Sequence, residues 1–73
     1  MSIHHSGTLD LSTRPNRRQA VALIIMWLCR VSSAEESYLN RIPNNLRSSN
    51  AYAASEDSIT LLTEAITALL DAY

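Results

Sequence analysis

Residues 17–30 read RRQAVALIIMWLCR, an apolar run over 20–29 bounded by arginines. In a chain of 73 residues something must cover that run, because a small domain leaves a large share of its surface wet even when folded. Working outward, Ala20, Leu23, Ile24, Trp27, Leu28, Val31, Ala34, Tyr38 and Ile42 recur at steps of three or four in one phase, which is helical spacing. The phase predicts a single helix over residues 15–42, about 28 residues and about 42 Å long at the standard rise. Proline is tolerated in a first turn, and Asn16 with Gln19 has capping-box spacing, so Pro15 and Asn16 mark the start. Pro43 ends the helix, since it disfavours helix at Ile42 and cannot continue one. Ser32 and Glu35 form a second S-x-x-E box that allows a break at Ser32-Ser33. The undisturbed phase favours the continuous helix.

A second helix is predicted over residues 51–72. Tyr52, Ile59, Ile66 and Tyr73 fall seven apart, with Leu62 and Leu69 between them, which is a heptad seam. Ser55 occupies the first intervening position and makes the seam weakest there. Thr60, Thr63, Glu64, Thr67 and Asp71 form the wet face. Glu56 and Asp57 are placed early in the helix, where negative charge suits the macrodipole, with Ser55 or Asn50 as cap. Residues 43–50, PNNLRSSN, are a polar connection of ordinary length for neighbouring helices. Residues 1–13 hold the single glycine and no sustained period, and are expected to be a mobile arm. The chain as a whole, 1–73, is expected to be one small all-α domain, a two-helix hairpin.

One hairpin does not cover the first helix. The face through Leu23, Trp27 and Val31 is assigned to the second helix. Ala22, Ile25, Met26 and Cys29 project away from it, so residues 20–29 are apolar nearly all round. A helix of that kind is normally buried on every side, and an exposed patch of that kind marks a contact with another polypeptide. The simplest partner is a second copy, giving a four-helix bundle about a two-fold axis. Ala22, Ile25, Met26, Cys29 and Trp27 are therefore the expected oligomer interface, in a dimer first and a tetramer as the larger option. A different protein partner, with this chain as an accessory or chaperone-like subunit, is the alternative.

Charge supports the hairpin. The net charge is −1, with Arg14, Arg17, Arg18 and Arg30 in the first half and a surplus of acids in the second. Three arginines at a helix N-terminus sit at the unfavourable end of its dipole. An antiparallel hairpin brings that end beside Asp71 and the end of the second helix, where exposed pairs contribute about 0–1 kcal/mol each. Arg14, Arg17 and Arg18 are also the candidate polar contacts for a partner. As phosphate contacts they would make the chain a small DNA-binding regulator, but the second helix is acidic and has no arginine with which to read bases. Nucleic acid is not the expected partner.

Little else points to chemistry. Cys29 is the only cysteine, which rules out an intrachain disulfide and a cysteine-based zinc cluster; it is expected to pack as a small hydrophobe. His4 and His5, adjacent on the arm with Asp10, lack the spacing of a metal site. The carboxylates Glu35, Glu36, Glu56, Asp57 and Glu64 have no helical histidine beside them and are expected to cap or be solvated. One glycine leaves no room for a phosphate-binding loop. No cofactor, metal or catalytic residue is expected, and the chain is not expected to be an enzyme. The apolar run is half the length of a bilayer span. It also mimics a signal peptide, but Arg30 interrupts the junction and cleavage would leave too little chain to fold comfortably. The expected setting is cytoplasmic, and the expected role is a non-enzymatic helical interaction module.

Overall fold

A computed structural model describes residues 10–73, so the expectations for His4, His5 and most of the arm lie outside the described residues. Helix α1 spans Arg14–Arg41 and helix α2 spans Asn50–Ala72, with a short 3-10 turn, Asn44–Leu46, between them. The two helices pack on each other as a hairpin. α1 is continuous through Ser32-Ser33. Among the described residues no helix is long and apolar enough to cross a membrane.

The helix starts differ from expectation in a way that capping explains. Thr13, not Asn16, caps α1: its Oγ1 accepts the Asn16 amide at 3.2 Å. This leaves Pro15 in the first turn, where its missing N–H costs nothing. Ser49, not Asn50 or Ser55, caps α2, accepting the Tyr52 amide at 3.2 Å. Each cap is worth about 1 kcal/mol. With α2 starting at Asn50, Glu56 and Asp57 lie beyond the first turn, out of reach of most of the dipole stabilisation expected for them. Before α1, Ser12 donates its hydroxyl and amide to Asp10 Oδ1 at 2.6 and 3.0 Å, which holds that carboxyl below its ordinary value.

At the closed end, Ile42 donates its amide to Leu39 O at 3.1 Å. Pro43 then turns the chain, and Arg47 Nε reaches back to Ile42 O at 3.5 Å. At the open end the Arg14 guanidinium lies 4.7 Å from the centre of the Tyr73 ring. The α1 N-terminus and the α2 C-terminus therefore meet as the antiparallel hairpin requires, through an aromatic stack. A stack of this kind contributes about 0.5–1 kcal/mol when exposed.

The face that α1 turns to α2 is not the expected one. From Val21 onward the half-buried positions of α1 are Val21, Ile25, Leu28, Ser32, Glu35 and Leu39, continued at the cap by Ile42, while Asn16, Arg17 and Ala20 are half-buried nearer its start. Leu23, Trp27 and Val31, expected inside the hairpin, are 51%, 59% and 49% exposed. On α2 the expected seam is the observed one as far as Leu69: Tyr52, Ile59, Leu62, Ile66 and Leu69 are half-buried, while Tyr73 at its end is exposed. Ser55, expected to be its weak point, is the one fully buried residue of the hairpin, 3% exposed. Its hydroxyl donates to Glu35 Oε2 at 2.6 Å across the interface. That bond offsets the cost of the rotation of α1, which also turns Val21, Ile25, Leu28 and Leu39 inward. Turning Ser32 and Glu35 inward costs little because Ser55 satisfies the carboxylate, and hydrogen bonds to charged groups are the stronger kind, at about 1.5–3 kcal/mol. The more apolar stripe of α1 is left outside.

Candidate interaction surface

α1 carries two heptad stripes offset by one residue, about 100° apart round the helix. The inner stripe packs on α2. The outer one, Ala20, Ile24, Trp27, Val31, Ala34 and Tyr38, consists of residues that each precede an inner position, and all but Ala20 are exposed. α2 repeats the pattern. Ala51, Ala54, Ser58, Leu61, Ala65, Ala68 and Ala72 each precede a seam position, and all are exposed.

In an antiparallel pair, residues that precede the seam on both helices turn to the same broad side of the hairpin, and residues that follow it turn to the other. The hollows between the helices show this arrangement. Tyr38, Arg41 and Ala51, which precede, share an open hollow of about 540 Å³ with Ile42, Pro43, Leu46 and Ser49, so a cation stands at the closed end of this side. Glu36, Asn40, Glu56 and Thr60, which follow, line a hollow of about 250 Å³ on the opposite side. Ala22 and Leu70, which also follow, meet in a third of about 150 Å³ near Arg18 and Tyr73.

The two sides differ sharply in chemistry. The side of the preceding residues is apolar and carries no charge within 20–38 or 51–72. The Arg30 guanidinium reaches its edge, 5.1 Å from the Trp27 ring centre. The other side mixes Ala22, Met26 and Cys29 with Glu36, Glu56 and threonines. The residues expected to form one interface are thus distributed over three surfaces: Ile25 half-buried in the seam, Trp27 on the apolar side, and Ala22, Met26 and Cys29 exposed on the mixed side. Cys29, expected to be packed, is exposed. Of the arginines, Arg14 lies over Tyr73 and Arg17 Nη1 donates to Leu11 O at 2.9 Å. Both are engaged by their own chain, and Arg18 is exposed.

Among the described residues no buried hydrophobic side chain exists. Comparison with known proteins finds no matching family model, curated protein or solved structure. Among the described residues no group of three His, Cys, Asp or Glu side chains is placed to hold a metal ion. The surface that distinguishes this hairpin is its apolar side. Sequence reasoning passed over the contribution of α2 to it, because alanines spaced between seam positions look like neutral helix formers. Their signal is the absence of any charge among them.

Proposed function

We propose that this chain is a non-enzymatic helical interaction module that completes its core by self-association, two hairpins meeting through their apolar sides as a four-helix bundle. The observation that carries this reading is the exposure of Trp27, at 59%, amid Ile24, Val31, Tyr38 and Leu61, with no buried hydrophobic residue among those described. Fixing a residue costs about 1–2 kcal/mol of backbone entropy, and burial on one side of each helix offsets it poorly. A second layer supplies the missing burial, at about 25 cal/mol per Å² of apolar surface. Within this reading the setting is the cytoplasm, where an exposed thiol such as Cys29 stays reduced, and the outer polar residues face further partners.

Mass action gives the test, because stability that depends on association rises with protein concentration. Thermal melting followed by circular dichroism is expected to move to higher temperature across a hundredfold concentration series. The emission of Trp27, the only tryptophan, should shift to the blue over the same range. A melting midpoint independent of concentration, with the emission of exposed indole throughout, would falsify self-association and leave a different protein as the occupant of the apolar side.

A further inference from the structure

The apolar side is built to fit itself, and this fixes how the second copy lies on it. α1 contributes large side chains, Ile24, Trp27, Val31 and Tyr38, while α2 contributes mainly alanines, broken by Leu61. The two rows lie side by side on one face of a body only 15 Å thick. Its α2 of 23 residues is about 35 Å long, and two helices together are about 20 Å wide. The face therefore offers about 700 Å² per copy, close to the roughly 800 Å² per partner of a stable interface.

Two arrangements stack such faces about a two-fold axis. An axis perpendicular to the helices lays α1 on α1 and α2 on α2. Large side chains then meet large ones on one half, and alanines meet alanines on the other. Helix spacing follows side-chain size over about 8–10 Å, so the two halves would demand different separations from one rigid pair. An axis parallel to the helices lays each α1 on the α2 of the other copy, antiparallel to it, and matches large to small along the face except at Leu61.

We propose the second arrangement, which rests on the self-association reading and specifies its geometry. Register within the chain also sets register between copies, because rotation about an axis parallel to the helices preserves height. The Glu35–Ser55 bond and the Ala22–Leu70 hollow place Trp27 level with the turn from Leu61 to Ala65 on α2. The indole of each copy enters the shallow row at Ala65 and Ala68 of the other, and Tyr38 lies over Ala54. Arg30 sits at the rim, where polar groups are found in protein interfaces.

Disulfide trapping tests this in a Cys29→Ser background, which removes the native thiol. One chain carries Ala34→Cys and another, distinguishable by mass, carries Ser58→Cys. Both are small exposed changes, and the circular dichroism and solution mass of each are checked first. The chains are unfolded together, refolded and oxidised with oxidised glutathione. The expected product is the mixed-chain disulfide, in several-fold excess over either like-with-like product, because Ala34 on α1 faces the level of Ser58 on α2 of the other copy. Each chain carries a single thiol once Cys29 is replaced, so no disulfide within a chain competes with the trapped products. Dimers that trap only like-with-like products would overturn the arrangement while leaving self-association intact. Variants that run as helical monomers would overturn both.

Discussion

Trp27→Asp should leave a chain that runs as a monomer and has lost much of its helical signal at micromolar concentration. Burying a large side chain such as Trp27 contributes about 1.5–3 kcal/mol, and the two-fold doubles that for each dimer. The substitution removes this and places a carboxylate in an apolar layer whose nearest cation, Arg30, stands at the rim, which costs more still. Helix α1 alone should not survive the loss, since most helical stability in proteins comes from packing of a face. Met26→Asp is the matched control. It puts the same charge on the same helix, one residue away, but on the side that already carries Glu36 and Glu56. That variant should keep the mass and nearly the melting midpoint of the parent. Equal damage from both substitutions, measured by light scattering and circular dichroism, would show that the two sides are not distinct.

The second large effect concerns the polar centre of the hairpin. Ser55→Ala should lower stability by about 1–3 kcal/mol, because it removes a hydrogen bond to a charged group and leaves the half-buried Glu35 carboxylate without that partner. At about 4–8 °C per kcal/mol for a domain of this size, the melting midpoint should fall by about 4–24 °C at fixed protein concentration. Glu35→Leu combined with Ser55→Ala should reverse the loss and raise the midpoint above that of the parent, because replacing both partners of a buried polar pair by apolar groups is often neutral or stabilising. The double change should also weaken the choice between the two stripes of α1, since the Glu35–Ser55 bond is what distinguishes them. A Ser55→Ala midpoint equal to the parent's would mean that the 2.6 Å bond contributes nothing to the seam.

The reversal of α1 shows which part of the fold is legible in the sequence. Two helices, their continuity, their antiparallel pairing and the seam of α2 follow from periodicity, from Pro43 and from the heptad spacing of Tyr52, Ile59 and Ile66. Periodicity cannot orient α1, because its inner and outer stripes have the same spacing and differ only in phase. Hydrophobicity points to the stripe with Trp27 and Val31. The decision lies instead in a long-range pair, Glu35 with Ser55, separated by 20 residues, and no local pattern reveals that match. The rotation also divides the residues expected to form the interface: Ile25 is half-buried in the seam, while Ala22, Met26, Cys29 and Trp27 are exposed on two different sides.

The capping differences have a similar cause. Thr13 and Ser49 each precede the first periodic residue by several positions, so pattern alone starts the helices at residues 15 and 51. Cap geometry extends them to Arg14 and Asn50.

Self-association through the apolar side is the claim on which the rest depends, and the solution mass tests it most directly. Light scattering after size exclusion, over a wide range of loading concentrations and with circular dichroism on the same fractions, should give a strongly helical species of about twice the 8.1 kDa chain mass. A strongly helical species that stays at 8.1 kDa at every concentration would contradict it, since the hairpin would then be stable with Trp27 and its neighbours in water.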